Sequence, residues 1–129
     1  MDFPSGLKYT KDHEWIDAQA ATATVGVTAY AIDQLGDIVH VELPQVGESF
    51  DAGAAFGTIE STKTVSDLYM PVSGKVVEVN KTAVSTPEGL QDDPYKNGWL
   101  VKIELKGKVD PAQLLDSKAY AKYVAENAD

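Results

Sequence analysis

Short runs in which apolar and polar residues alternate recur along most of the chain, the period-two pattern of strands with one buried face. The clearest is Ile38-Val-His-Val-Glu-Leu43, which ends at Pro44-Gln-Val-Gly47, a turn with both proline and glycine. Residues 13–16 and 22–27 carry β-branched and aromatic side chains, and Asp17-Ala-Gln-Ala-Ala between them reads as a turn of small residues. Further strands are predicted at residues 54–60, 65–70, 74–79 and 99–105. Short strands at this spacing point to a sandwich or a barrel.

Short helices fit around these strands. Thr28 can cap residues 29–35, with Gly36 just past the end. Asp110 before Pro111 is a cap with proline at the first helical position, and it predicts a helix over residues 112–115. Ser117 opens a longer helix, whose apolar stripe of Ala119, Tyr120, Tyr123 and Val124 is expected to pack back onto the barrel. Residues 82–98 hold two prolines, two glycines and few strand formers, which predicts a long loop of the functional or mobile kind. A faint repeat, Pro-x-x-Gly at Pro44 and again at Pro71, would suit a barrel made of two similar halves.

Composition narrows the chemistry. The 129 residues suit one domain, expected to span residues 1–129 with a core of about 7–109 and a C-terminal helical segment of about 110–126. With no cysteine, the chain has no disulfide framework, no cysteine-ligated zinc or iron–sulfur cluster and no thiol nucleophile. Acids outnumber bases 20 to 11, for a net charge of −9, and every base is a lysine. Such a chain is badly suited to phosphate backbones, so no nucleic-acid partner is expected. No apolar run is long enough to span a membrane, and Met1-Asp2-Phe3-Pro4 does not open a signal peptide. A soluble, cytoplasmic, monomeric protein is expected, or one of the mitochondrial matrix if it is a processed eukaryotic form.

The informative segment is Glu60-Ser-Thr-Lys63-Thr-Val-Ser-Asp67, flanked on both sides by strand formers. Residues 61–64 can then be the tip of a hairpin, with the Lys63 amine standing clear of the sheet and Glu60 and Asp67 on opposite arms. Most lysines are only solvated surface residues, and position alone does not single this one out.

Wider motifs do. Glu-Ser-x-Lys-x-x-Ser-Asp followed by Pro71-Val-Ser-Gly74 resembles the lipoylation segment of the H protein family of the glycine cleavage system. Leu7-Lys-Tyr-Thr-Lys-Asp-His13-Glu14-Trp15 is similar to that family's start. The segment from Gly26 to Val39, Val41-Glu-Leu-Pro-x-x-Gly47 and Asp93-Pro94-Tyr95-Lys-Asn-Gly98-Trp99 resemble its later segments, in family order from about Leu7 to Tyr123. Biotin carriers resemble the hairpin but set their lysine between methionines, where this chain has Thr62 and Thr64. Lipoyl domains of 2-oxoacid dehydrogenases also resemble it, but they are usually shorter and tethered by Ala/Pro-rich linkers.

The resemblance implies a mainly β, lipoyl/biotinyl-type barrel-sandwich hybrid of two small antiparallel sheets, with short flanking helices and a C-terminal helix. It implies lipoate on Lys63, so that the sulfur missing from the chain arrives on a cofactor. The implied activity is carriage, not catalysis, and no catalytic residue is assigned. The aminomethyl group of glycine would pass on lipoyl-Lys63 between a PLP-dependent glycine decarboxylase (P protein), a tetrahydrofolate-dependent aminomethyltransferase (T protein) and dihydrolipoamide dehydrogenase (L protein). A lipoate-attaching enzyme is a fourth implied partner. Glu14 and Asp67 are implied to line the cleft that receives the loaded arm, where carboxylates suit an ammonium. Asp12 joins them as a candidate, and Glu60 is a candidate for recognition by the lipoate-attaching enzyme. The alternative is that Glu14 and Asp12 are ordinary solvated charges at a strand edge and that Glu60 only keeps the tip soluble. For function, the alternatives are a lipoyl relay serving other enzymes through the same lysine, or an unmodified binding module.

Other signals are weaker. His40-Val-Glu42 has the spacing of two ligands on one strand face, but a metal site needs three or four, so no metal is assigned. No Gly-x-Ser-x-Gly elbow or phosphate loop is present. Trp15 and Trp99 are expected in the core or as cleft walls. Tyr69 and Met70 stand where small or polar residues are common in the family, which suggests a more apolar cleft wall.

Overall fold

The computed structural model describes residues 3–107 and 114–127. The chain opens with strands β1 (Lys8–Tyr9), β2 (Glu14–Gln19) and β3 (Thr22–Val27), then helix α1 (Ala29–Leu35). Strands β4 (Ile38–Glu42), β5 (Ser49–Phe50), β6 (Ala55–Ser61), β7 (Val65–Tyr69) and β8 (Gly74–Val79) follow. The short helices α2 (Lys81–Ser85) and α3 (Gly89–Asp92), strand β9 (Val101–Leu105) and helix α4 (Ser117–Asn127) complete the described order. One sheet has six strands in the order β1-β2-β3-β9-β8-β5, and the other has three in the order β4-β6-β7. All the named strand pairs are antiparallel.

The sheets face each other across a core that includes Val25, Val41, Ile59, Leu68, Val76 and Ile103. The period-two pattern holds only in part: register shifts interrupt β4, β6 and β8, so that β4 buries Ile38 and Val41 while Val39 between them is exposed. Helix α1 closes one end of this sandwich with Ile32 and Leu35. It starts where Thr28 Oγ1 accepts the Ala31 N–H and ends at Gly36, whose φ of 84° favours glycine.

A second cluster lies outside the sandwich. Tyr9, Trp15 and Tyr120 are buried together, with Phe3, Leu7, Tyr95, Tyr123 and Val124 packed around them. The rings of Tyr9 and Tyr120 stack with centroids 4.7 Å apart. Helix α4 is thus fastened by its aromatic stripe, as expected, except that Ala119 faces solvent.

The differences from the sequence reading have local causes. The small-residue turn shrinks to Ala20 and Ala21, because β2 and β3 stay paired out to Gln19 and Thr22, with Ala20 at a φ of 57°. The predicted loop over residues 82–98 contains two short helices. Asn80 caps α2 through its side chain, and Leu90 of α3 is buried in the core. Residues 110–113 of the helix expected after Asp110 lie outside the described residues. Leu115, at its predicted end, forms an isolated bridge with Tyr9 instead. Trp99 and Leu100 precede β9, and His13 precedes β2 at a φ of 68°.

The end of the first Pro-x-x-Gly turn lies against β8 and not against the second turn: Gly47 N donates to Val76 O at 2.8 Å, and Val76 N donates to Glu48 O at 2.8 Å. The glycines of the two turns serve different needs. Gly47 sits at a φ of 100°, whereas a Cβ on Gly74 would come within 3.0 Å of Glu104 O.

Candidate functional site

Strands β6 and β7 form the hairpin expected around Lys63, with Thr58 opposite Asp67 and Glu60 opposite Val65. The turn is built on Ser61. Its backbone N–H donates to Thr64 O at 2.8 Å, and its buried Oγ accepts the N–H groups of Lys63 at 3.1 Å and Thr64 at 3.2 Å. From outside the hairpin, Thr62 N donates to Asp37 O at 3.0 Å, which fixes the tip to the end of α1. Lys63 itself is exposed. Its stem crosses Gly36, where a Cβ would meet Lys63 Cε at 3.5 Å and Nζ at 3.7 Å. Sequence reasoning found the lysine; it missed Ser61 Oγ, Gly36 and Asp37 O, which hold the turn beneath it. The serine was visible within the motif, but its bonds exist only once the hairpin is closed.

The candidate acids occupy unlike environments. Asp67 is exposed on β7, with the Tyr69 hydroxyl donating to its Oδ2 at 3.5 Å. Glu60 is half-buried on β6, paired with His40 of β4 on one side and Val65 on the other. Asp12 is exposed and lines a groove with Thr10, Met70 and Pro71.

Glu14, by contrast, is only 2% exposed. Its Oε2 accepts the Tyr69 N–H at 3.0 Å, and its Oε1 accepts the Thr10 hydroxyl at 3.3 Å. Strand β7 is an edge strand, so the Tyr69 N–H has no neighbouring strand on that side; Glu14 reaches over from β2 of the other sheet to satisfy it. Burial pushes the Glu14 carboxyl up to about 8, with the Asp12 charge adding to the rise and the bonds from Tyr69 and Thr10 opposing it. The reading of Glu14 as a solvated surface charge is therefore excluded.

Tyr69 links the acids, with its backbone on Glu14 and its ring on Asp67, whereas Met70 is largely buried in the core and shows only its edge in the groove beside Asp12. Trp15 is buried against Gly26, where any Cβ would strike the indole, and donates from Nε1 to Pro94 O at 3.0 Å. Trp99 is half-buried under Lys102, whose Nζ lies 5.0 Å from its ring centre. His40 and Glu42 stand exposed on the outer face of β4.

The base of the site is held by the Asp93-Pro-Tyr loop. Asp93 accepts the N–H groups of Tyr95, Lys96 and Asn97 at 3.1–3.3 Å, which keeps its carboxyl below the usual range. The loop so formed lets the Tyr95 hydroxyl accept the Ala29 N–H at 2.9 Å, at the first turn of α1. Beside it, Tyr120 Oη lies 2.7 Å from Thr28 Oγ1 and 2.8 Å from His13 Nδ1. If Thr28 donates to Tyr120 and Tyr120 to a neutral His13, both hydroxyl donors are satisfied; burial lowers the His13 pKa and so favours that neutral form, against the pull of Asp12.

Comparison with known proteins fits this geometry. The family model described as "Glycine cleavage H-protein" matches residues 7–127. The chain belongs to the glycine cleavage H-protein family. It is 50% identical over 123 residues to a glycine cleavage system H protein of Symbiobacterium thermophilum, covering 95% of this chain and 96% of that one. A glycine cleavage system H protein of Synechococcus sp. (strain JA-3-3Ab) is 48% identical over 124 residues, 96% of each chain. Among solved structures, a glycine cleavage system H protein from Mycobacterium marinum superposes with a TM-score of 0.86 at 41% identity, covering 98% of this chain and all of that one. The barrel-sandwich hybrid expected from the sequence is therefore the fold of this H-protein chain, although its larger sheet has six strands.

Proposed function

We propose that the chain is the lipoyl carrier of the glycine cleavage system, with lipoate joined to Lys63 Nζ through an amide. The observation that carries this reading is the tip: an exposed lysine on a turn fixed by Ser61 Oγ and Asp37 O, in a chain whose family match spans residues 7–127. When bound, lipoate supplies a sulfur pair that accepts the aminomethyl group of glycine and that opens and closes by two-electron exchange. The tip residues fit that group, because the stem of Lys63 is free to leave Gly36 while its backbone stays held.

The remaining residues position and protect the arm. Asp67, exposed beside the hairpin, is the carboxylate that meets the cargo's ammonium. Glu14 lies behind it through Tyr69, and its proton is held by burial. A cation brought alongside opposes that burial and favours the charged form of Glu14. Asp12 adds negative potential at the rim, and Glu60 is part of the surface read by the lipoate-attaching enzyme. The decarboxylase, the aminomethyltransferase and dihydrolipoamide dehydrogenase use the tip in turn. The chain is their shared substrate in the cytoplasm, a monomer, and catalyses none of the steps.

Two measurements test this. Incubation of the full chain with lipoate, ATP and a lipoate ligase, followed by intact mass and peptide mapping, is expected to give one adduct on Lys63 and none in Lys63→Arg. Wild-type protein that stays unmodified overturns the reading. In the loaded protein, Asp67→Asn is expected to release formaldehyde about two- to five-fold faster, the scale of one exposed charge pair. An unchanged rate removes Asp67 from the site.

A further inference from the structure

The turn between β1 and β2 is closed on itself by one side chain. Thr10 N donates to Glu14 O at 2.9 Å, and His13 N donates to Thr10 O at 3.1 Å, with His13 at a φ of 68°. Inside this loop Thr10 Oγ1 accepts the Glu14 N–H at 3.2 Å and lies 3.3 Å from Glu14 Oε1. The same hydroxyl thus holds both ends of one residue, its backbone nitrogen and its carboxyl.

A hydroxyl has one proton to donate and two lone pairs to accept with. The Glu14 N–H occupies one lone pair in either charge state of the carboxyl. Facing a carboxylate, Thr10 donates its proton to Oε1, while the Tyr69 N–H serves Oε2 at 3.0 Å. Facing a carboxylic acid, the first bond reverses, and the proton on Oε1 is donated to the second lone pair of Thr10. The Thr10 proton then turns away. Thr10 lines the groove that also holds Asp12 and Pro71, where water can accept that proton. The Tyr69 N–H has no such choice, because it only donates.

The exchange matters because Glu14 is buried and has little water of its own. Its surroundings supply few alternatives. Val27 stands opposite it on β3, Lys11 and Asp12 share its turn, the His13 ring faces Tyr120, and Asp67 is reached only through Tyr69. Among the described residues, Tyr69 and Thr10 are the hydrogen-bond partners of its carboxyl. Burial, helped by the Asp12 charge, brings that carboxyl to about 8, so both of its forms are reached close to neutral pH.

We propose that Thr10 is the positioning residue and proton relay of the buried acid: its hydroxyl reverses direction as Glu14 gains or loses a proton, so the carboxyl changes charge in place. The step balances. The proton on Glu14 Oε1 passes to Thr10 Oγ1 as the Thr10 proton passes to a water of the groove. Glu14 is left as the carboxylate, and Thr10 is left donating to it. The inference deepens the proposed carriage of an ammonium cargo, and its bearing on cargo rests on that reading. An acid that ionises without shifting offers the cargo a fixed charge.

The test titrates the full chain before lipoylation and follows the Glu14 carboxyl carbon and the Thr10 side-chain carbons by NMR. In wild type both are expected to titrate with one midpoint, at about 8. Thr10 signals that stay flat while Glu14 titrates overturn the relay. Thr10→Val keeps the shape and loses the hydroxyl. A bond to a charge is stronger than one to a neutral acid, so the Glu14 midpoint is expected to rise by about one pH unit, and Thr10→Ser to restore it. An unchanged midpoint in Thr10→Val, or a shift that serine does not correct, overturns the proposal as well. In the loaded protein, Thr10→Val is expected to release formaldehyde about two-fold faster than wild type and Thr10→Ser at the wild-type rate. Equal rates in all three overturn the link to cargo. The titration needs no lipoate, so a chain that a lipoate ligase cannot modify overturns the carrier reading alone.

Discussion

Helix α1 has two unlike ends. At its start, three segments distant in sequence converge on buried groups: His13 O accepts from Thr28 N, Tyr120 Oη meets Thr28 Oγ1, and Tyr95 Oη accepts from Ala29 N. At its finish, a hydrogen bond from Thr62 N to Asp37 O and the bare surface of Gly36 are what Lys63 rests on. The first end is a corner locked by side chains; the second is a platform that touches the tip through backbone alone. A carrier needs both, because the arm must swing from a base that does not move. The locks stand about 10 Å from the lysine, the length of the helix, which keeps the bulky rings away from the tip.

The largest effect is expected at Glu14, the buried acid next to the His13 that contributes to the corner. Its carboxyl titrates near 4.5 unfolded and at about 8 folded, so the folded state holds a proton that the unfolded state has lost between those values. Stability therefore falls as pH rises from about 4.5 to 8, and the full penalty is present above 8. Glu14→Gln keeps the bonds to Tyr69 and Thr10 without that titration. In urea unfolding it is expected to be about 2–4 kcal/mol more stable than wild type at pH 9, with the advantage gone by pH 4. Parallel curves at both pH values would falsify a neutral, buried Glu14.

Next in size is Tyr120→Phe, which removes the hydroxyl shared by Thr28 and His13 while keeping the ring stack. The cost is expected to be about 1–3 kcal/mol in the same measurement, with Lys63 still modified at the wild-type rate. If modification slows in step with stability, the two ends of α1 are not independent.

Ser61→Ala inverts that pattern and is the smallest effect on stability, about 0.5–1.5 kcal/mol. It frees the N–H groups of Lys63 and Thr64, so the tip loosens and ligase-catalysed lipoylation is expected to slow through KM. Wild-type kinetics in this variant would mean that the enzyme shapes the turn itself.

The hairpin and its lysine were legible in the sequence because they are local: a motif flanked by alternating strands fixes a tip, whatever packs beneath it. The same is true of α1, where Thr28 and Gly36 mark both ends within eight residues. Residues 82–98 were misread because α2 and α3 are too short to show periodicity, and are held by an Asn80 cap and by burial of Leu90. Glu14 was legible as a candidate but not as a buried acid, since nothing near it in the chain says that the N–H it bonds is on Tyr69, 55 residues away.

The sequence by itself determined which lysine is presented, which strands face inward and, through the motifs, the family. Those properties depend on residue type and on spacing within one element. Only the tertiary structure decided that one acid is buried, with its carboxyl pushed up, while its neighbour is open, and that α4 locks the start of α1. Each of these depends on desolvation or on contact between distant segments, which exist only after the sheets have closed.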